Sequence, residues 1–338
     1  MSRRVIWGPL RSVLVLLAVS LPQLAQAAEP VKLHLAWVTI GVDYPLPLLQ
    51  APGLPLHLGK TYTIDSTHFT NTPAMITALA AGQIDLAPLA FSAFSLAIEN
   101  ASMTDLRAVA DAFQDGVTGY HSTEFMVLDA SNIRKIEDLK GKILTTNAMG
   151  SGVDIAMRAM LRKHGLDDKH DVTIIEAAFP NMQAMLVDHK TDLIIGIPPF
   201  SYDPALRSVA RTLFTVRDAV GPTQFVIWAG KAGTLQKYRA AIVDYLEDSL
   251  RMLHWTTDPA THDQAIAQLA ELAKRPADSF RWLYTKEDEY HAPDGLPDLV
   301  SLTSIINAQY DAGFLKTKLD AAQYADVSLV KEAAARIK

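Results

Sequence analysis

Ile136-Glu137-Asp138-Leu139-Lys140-Gly141-Lys142-Ile143, followed closely by Gly150-Ser151-Gly152, is the stretch that decides the fold. Residues 142–145 read as a strand, joined through 136–141 to an earlier strand at 125–128. Gly150-Ser151-Gly152 then opens a helix that runs to about His164 and stops at Gly165, a residue that tolerates the left-handed end of a helix. The order continues with a strand at 172–176, a helix at 182–188 and a strand at 193–196.

The same rhythm extends upstream. Residues 31–38 (VKLHLAWV) alternate apolar and polar side chains as a strand does, and 62–69 make a second strand. Thr72-Pro73 starts a helix with an N-cap and a first-turn proline, Met75, Ala78 and Leu79 share one face, and Gly82 ends it. A short strand at 84–87, a helix at 91–99 and a strand at 106–112 follow. Short strands alternating with helices predict an α/β protein with parallel sheets covered on both faces. Residues 225–229 are the last strand, and from Leu235 the pattern is helical: 235–255, 259–273, 277–284, 296–312 and a final piece from Leu329.

The chain has 338 residues, 49% of them hydrophobic and 20% charged, enough for about two domains with a sizeable core in each. A net charge of −6 leaves no basic footprint, so neither nucleic acid nor an anionic membrane is an expected partner. The absence of cysteine excludes a disulfide scaffold, a thiolate metal site and a thiol nucleophile.

Arg3, Arg4 and Arg11 give a basic start, 13–21 (VLVLLAVSL) an apolar run, and Leu24-Ala25-Gln26-Ala27 a small-x-small cleavage site. Residues 1–27 therefore read as a secretory signal peptide. A membrane anchor would need ~20 apolar residues, about twice the uninterrupted run, and Pro22 follows it. The residues after Arg3-Arg4 do not complete a twin-arginine pattern. With no lipidation cysteine and no further segment of ~18 apolar residues, a soluble protein of the periplasm is expected.

Three stretches, in order, resemble the sulfonate, nitrate and taurine branch of the periplasmic solute-binding proteins of ABC importers. They are residues 73–86 (PAMITALAAGQIDL), 133–143 (IRKIEDLKGKI), and Gly150-Ser151-Gly152 with 192–200 (DLIIGIPPF). Two features depart from that pattern: Pro45, Pro47, Pro52 and Pro55 interrupt the region after the first strand, and Ile197 precedes the Pro198-Pro199-Phe200 run where a tryptophan or aspartate is usual. The resemblance implies a type II two-lobed clamshell, each lobe a sheet flanked by helices, with a helical carboxyl-terminal tail. Residues 28–127 and 226–338 would form lobe I and 128–225 lobe II, with strands near 124–129 and 225–229 crossing between them as the hinge. Ligand would sit beyond the carboxyl ends of the strands.

Gly150, Ser151 and Gly152 are the first candidates for ligand binding, because glycines let backbone amides approach an anion and the helix start favours negative charge. The plainer alternative is a flexible loop with Ser151 as N-cap, and Asp154 in the first turn competes for the same amides. Trp37 and Thr39, Phe91 and Ser92, and Phe200 and Tyr202 fall at strand ends, where an aromatic lining would suit an anion with an apolar body; ordinary core packing is the alternative for each. Asn147 and the Tyr120-His121-Ser122-Thr123 run add hydrogen-bonding candidates. The ten histidines include no pair four apart, so a metal site is not expected. Met149-Gly150-Ser151-Gly152 lacks the leading glycine of a nucleophile elbow, and no Walker loop or dinucleotide fingerprint is present. Glu287-Asp288-Glu289 reads as a solvated charge run, and the helical faces around Leu246, Leu250 and Leu253 as core.

The resemblance implies a monomeric, cofactor-free binder of a small organic anion, a sulfonate or an aromatic or other carboxylate, that delivers it to the membrane permease of an ABC importer without chemistry. The alternatives are an enzyme on the same clamshell, of pyrimidine- or menaquinone-precursor type, and a periplasmic sensor ectodomain. The export signal weighs against the first, and the lack of a following membrane segment against the second.

Overall fold

The computed structural model of the chain describes Met1, Leu49 and residues 29–38, 55–70, 72–100 and 103–337. The signal-peptide reading and the proline-rich segment around 45–52 thus lie outside the described residues, apart from Leu49.

Two sheets share one plan. In the first, β1 (Val31–Trp37) and β2 (Tyr62–His68) pair in parallel, and a Leu35–Leu86 bridge joins β1 to the segment that feeds β3 (Ala87–Ala90). β3 and β4 (Leu106–Asp115) flank β10 (Thr223–Lys231), which runs antiparallel to both, giving the order β2-β1-β3-β10-β4. In the second, β6 (Ile143–Thr146) and β7 (Thr173–Glu176) pair in parallel, and a Leu144–Leu193 bridge leads to β8 (Ile194–Gly196). β8 and β9 (Ala210–Thr215) flank the antiparallel β5 (Glu124–Leu128), giving β7-β6-β8-β5-β9.

The expectation of wholly parallel sheets is corrected by β5 and β10. A parallel neighbour requires a crossover of about a dozen residues, usually helical. β5 and β10 instead arrive from the other sheet, so the helix-strand alternation that implied parallel pairing never applied to them. Each pairs within one sheet only, so the expected crossing strands do not cross. The chain passes between sheets at 116–123 and again at 216–222. Arg217 ties the two passages together, donating from Nε to the Gly116 carbonyl (2.7 Å) and from Nη2 to those of Val117 and Tyr120.

The helices are α1 (Thr72–Ala80), α2 (Phe91–Asn100), α3 (Gly152–Lys163), α4 (Phe179–Val187), α5 (Pro204–Arg207) and α6 (Val216–Val220). The tail adds α7 (Ala232–Lys237), α8 (Arg239–Thr257), α9 (His262–Ala273), α10 (Leu299–Asp311) and α11 (Ser328–Arg336). Burial dictates the layers. Leu33 and Leu35 of β1 and Phe91 and Phe94 of α2 are completely buried, with α8 against β1 and β2, and α10 against β10 and α2. In the second half Phe125 stacks on Phe214, with centroids 4.3 Å apart. The tail therefore covers the first sheet. The helix expected at 277–284 is a 3-10 turn, Ala277–Ser279, followed by a non-helical strap in which Tyr284 takes φ 54°. Among the described residues, no helix is long and apolar enough to cross a membrane.

Candidate functional site

A cleft lies where the carboxyl ends of β1, β6 and β8 approach β4 and β10. An inner chamber of about 110 Å3 is walled by Phe113, Phe225 and Thr123 on one side and by Ser151, Gly152 and Val153 on the other. An outer chamber of about 480 Å3 adds Trp37, His68, Phe200 and Arg275. Val38, Asn147, Phe179, Pro198 and Trp282 line both chambers, so the two adjoin. Both sheets contribute walls, at the strand ends where open α/β sheets bind ligands.

The sequence candidates divide. Trp37 and Phe200 line the outer chamber, Asn147 both chambers, and Ser151 and Gly152 the inner one. Trp37 leans on the His68 ring, centroids 4.3 Å apart. Thr39 lies outside the described residues. Phe91 and Ser92 are the first residues of α2, wholly buried, and Phe91 packs edge-on behind Phe225 at 5.5 Å rather than on the cleft wall. β3 runs on to Ala90, three residues beyond the strand expected from sequence, and so carries this pair past the cleft. Gly150 has φ +74°, the left-handed conformation that favours glycine, but its amide already donates to Asp154 Oδ2 at 2.9 Å. Tyr202 lies off both chambers, its hydroxyl held by the Glu287 carbonyl and His121.

The start of α3 is the most polar part of the wall. Ser151 is the N-cap, accepting from the Asp154 amide at 3.4 Å, and its hydroxyl donates to Asn147 Oδ1 at 2.7 Å. Asp154 is buried and bonded to Arg158, which also holds Asp168 at 2.8 Å. Burial pushes the Asp154 carboxyl up, against the Gly150 amide and Arg158, which pull it down. Asp154 thus takes one amide of the helix start. The amides of Gly152 and Val153 make no hydrogen bond among the described residues, and both residues face the inner chamber. No lysine, arginine or histidine lines that chamber among the described residues.

Sequence reasoning missed Phe113, Phe179, Phe225, Trp282 and Glu289 as lining residues. Phe179 carried a signal, because it starts a helix directly after a strand. Trp282 and Glu289 carried none, since the strap reaches the cleft only through the fold. Glu287-Asp288-Glu289 is only partly a solvated run: Glu287 is exposed and Glu289 half-buried, but Asp288 is not solvated. Asp288 is buried, accepts the Tyr284 and Glu289 amides at 2.7 and 2.9 Å, and faces His291 Nε2 at 3.4 Å. A Gln114–Tyr290 bridge ties this strap to β4.

Behind it lie further buried groups. Asp111 accepts Gln224 Nε2 at 2.6 Å and the Ala292 amide at 2.7 Å, yet burial pushes its carboxyl up to about 6. Burial alone would lower His291, but Asp288 and Asp111 outweigh it and raise it. His121 is lowered by burial. From about pH 4 to 6 the fold keeps an Asp111 proton that the unfolded chain releases, so this stabilisation is lost as pH rises through 6. Its size is on the order of 3 kcal/mol. His291 adds the same sign at higher pH, and His121 opposes it. The melting temperature is expected to rise from pH 8 to pH 5, and Asp111→Asn to flatten the slope between pH 4 and 6. A wild-type melting temperature that falls over that range would contradict this assignment.

The NMT1-like family model matches residues 26–270. The alkanesulfonate-binding protein SsuA of Xanthomonas axonopodis pv. citri, bound to MOPS, is 18% identical with a TM-score of 0.68, covering 89% of this chain and 99% of its own. The periplasmic nitrate-binding protein NrtA of Synechocystis PCC 6803 is 13% identical with a TM-score of 0.71, covering 92% and 90%. The desulfurization enzyme DSZB is 13% identical with a TM-score of 0.64, covering 91% and 100%. No curated protein matches the sequence. At these identities the likeness establishes the two-lobed periplasmic-binding-protein fold, which carries binders and an enzyme alike. Matched over most of its length, the chain belongs to the NMT1-like family.

Proposed function

We propose that this chain is the exported solute-binding component of an ABC importer and captures a small organic anion in the interlobe cleft. The observation that carries the reading is the pair of unbonded amides at Gly152 and Val153, set against aromatic walls from the opposite sheet. A helix start favours negative charge, and Phe113, Phe179, Phe225 and Trp282 suit an apolar body. SsuA and NrtA, which share the fold, bind an alkanesulfonate and nitrate. An aromatic cleft of two chambers fits a sulfonate or carboxylate with an apolar body better than nitrate. We place the lobe boundaries at 116–123 and 216–222. Ligand touching both lobes selects the closed state, which a permease then reads. The protein works as a monomer in the periplasm, needs no cofactor and performs no chemistry.

A thermal-shift screen of sulfonates and aromatic acids tests this, because ligand at ~100-fold its Kd adds ~2.7 kcal/mol of stability. Ser151→Asp is expected to weaken binding more than 100-fold, since it sets a like charge beside the free amides while remaining a good N-cap. Ser151→Ala is expected to cost about 1 kcal/mol. Trp37→Ala should matter more for bulky anions than for small ones. Calorimetry reads all three effects, and wild-type affinity in Ser151→Asp would remove the helix start from the site. Because DSZB is an enzyme, mass spectrometry of the incubated ligand is the second readout, and turnover would replace the binder reading.

A further inference from the structure

The two chambers of the cleft are charged differently. Among the described residues, the inner wall holds one carboxyl, Glu289, and no cation, whereas the outer wall holds Arg275 and no acid. His68, the other basic side chain of the outer chamber, donates from Nε2 to the Val38 carbonyl at 3.1 Å. Arg275 is therefore the one permanently charged group of the outer wall among the described residues. The chambers also differ in capacity. About 110 Å3 has room for an acidic head group and little more, while the adjoining 480 Å3, walled by Trp37, Phe179, Phe200 and Trp282, takes an aromatic body.

Local structure holds Arg275 in place. α9 ends at Lys274, whose φ of 52° turns the chain out of the helix, and the Arg275 amide donates back to the Ala270 carbonyl at 3.0 Å. The guanidinium lies over the Phe280 ring, 5.6 Å from its centroid, and Phe280 is buried beneath it. Asp263 and Asp278 pair with Arg281, at 3.8 and 2.6 Å. Arg275 itself makes no ion pair among the described residues.

We propose that Arg275 determines ligand specificity, selecting aromatic diacids: one acid head meets the Gly152 and Val153 amides, the ring lies among the outer aromatic side chains, and a second acid at the far end meets the Arg275 guanidinium. This rests on the reading of the cleft as an anion-binding site and narrows it. The guanidinium is a planar fork of donors that matches a carboxylate or sulfonate. Gly152 and Val153 come from the helix that follows β6 of the second sheet, whereas Arg275 comes from the tail that covers the first. A diacid is thus held at its two ends by different lobes, and its second contact favours the closed state. Arg275 is exposed, so a monoacid loses no bond there. Selection is a gain made by diacids, and it strengthens as the closing lobes shield the new ion pair from water.

Two pairs of probes of different length test the proposal: 4-sulfobenzoate against 4-methylbenzenesulfonate, and biphenyl-4,4′-dicarboxylate against 4′-methylbiphenyl-4-carboxylate. Each pair exchanges a terminal acid for a methyl group of similar size. Calorimetry at neutral pH and low salt is expected to show at least a tenfold preference for the diacid in one pair or both. Arg275→Gln should abolish that preference while leaving monoacid affinity within about threefold and the melting temperature within a few degrees. Arg275→Lys, which keeps the charge but not the planar fork, should retain part of it, so the test survives a poorly folded glutamine variant. If each diacid binds no tighter than its monoacid, the inference is overturned while the anion-binding reading stands. A preference that survives Arg275→Gln, or a variant that loses the monoacids as well, also overturns it, because Arg275 would then be idle or would hold the head itself. If no probe binds, both readings fall together.

Discussion

Gly152→Ala is expected to weaken ligand capture by one to two orders of magnitude while leaving each lobe folded. A Cβ at this position would lie 2.8 Å from Phe225 Cζ, 3.0 Å from its Cε1 and 3.3 Å from Phe91 Cε1. The Phe225 ring is held from two sides. It stacks on Phe113 with centroids 5.8 Å apart and meets the edge of Phe91 at 5.5 Å. Overpacking of this kind costs about 1–3 kcal/mol, and every 1.4 kcal/mol is tenfold in affinity. What makes the strain functional is its place in the chain. Gly152 opens α3 on the second sheet, whereas Phe225 belongs to β10 of the first, so the clash is relieved by moving the lobes apart. The variant therefore penalises the closed arrangement rather than either lobe. Calorimetry with the best anion from the thermal-shift screen, paired with small-angle scattering, checks this. Affinity within threefold of wild type and an unchanged radius of gyration would mean that α3 and Phe225 do not approach in the liganded protein.

Gly152 also shows what sequence can and cannot reveal about this cleft. The strand, turn and helix around it are local events, and the glycines and Ser151 announce them. Asn147 and Ser151 follow from the same logic, because a βα turn sets its residues at the carboxyl edge of a sheet. Phe225 as the partner of Gly152 is not legible, since the two are brought together only when the lobes meet. The antiparallel course of β5 and β10 is hidden for a related reason. Periodicity reports a strand but not the neighbour it joins, and both strands join sheets their preceding helices do not cover. Phe91 and Ser92 looked like lining residues because strands that feed helices usually end at the cleft. Here α2 starts immediately after Ala90 and turns the Phe91 ring into the core. Glu287-Asp288-Glu289 misled in the opposite direction. Three adjacent acids suggest solvent, yet the amides of Tyr284 and Glu289 and the ring of His291 satisfy Asp288 in the interior. Composition cannot report such pairing, because the partners are fixed by a strap with φ 54° at Tyr284.

Asp248→Ala is expected to be strongly destabilising, costing about 3–5 kcal/mol. Asp248 is 1% exposed on α8 and binds a segment some 190 residues earlier. Its Oδ1 accepts the Leu56 amide at 2.8 Å, and its Oδ2 accepts the amides of His57 and Leu58 at 3.0 and 3.2 Å and the Tyr62 hydroxyl at 2.9 Å. Burial and the Asp248 charge both push the Tyr62 phenol up, which keeps it a donor. Alanine leaves three backbone amides and a buried phenol without their acceptor. Each stranded donor costs about 1–3 kcal/mol, and partial access to water reduces the total below their sum. Against a typical stability of about 5–15 kcal/mol, that loss is a large fraction. Asp248→Asn should cost less, about 1–2 kcal/mol, because its one oxygen can keep the three-donor side while its NH2 opposes a single amide. Tyr62→Phe should cost about 1 kcal/mol in the wild type and markedly less in the Asp248→Ala background, since both remove the same bond. Urea midpoints across this cycle supply the measurement, and an Asp248→Ala loss below 1 kcal/mol would refute the anchor. The effect should also reach the cleft. Residues 56–58 lead into β2, β2 pairs with β1 from Val31 to Trp37, and β1 delivers Trp37 and Val38 to the outer chamber. Loosening the anchor should therefore lower affinity for bulky anions more than for small ones, as Trp37→Ala does, although Asp248 lies outside both chambers.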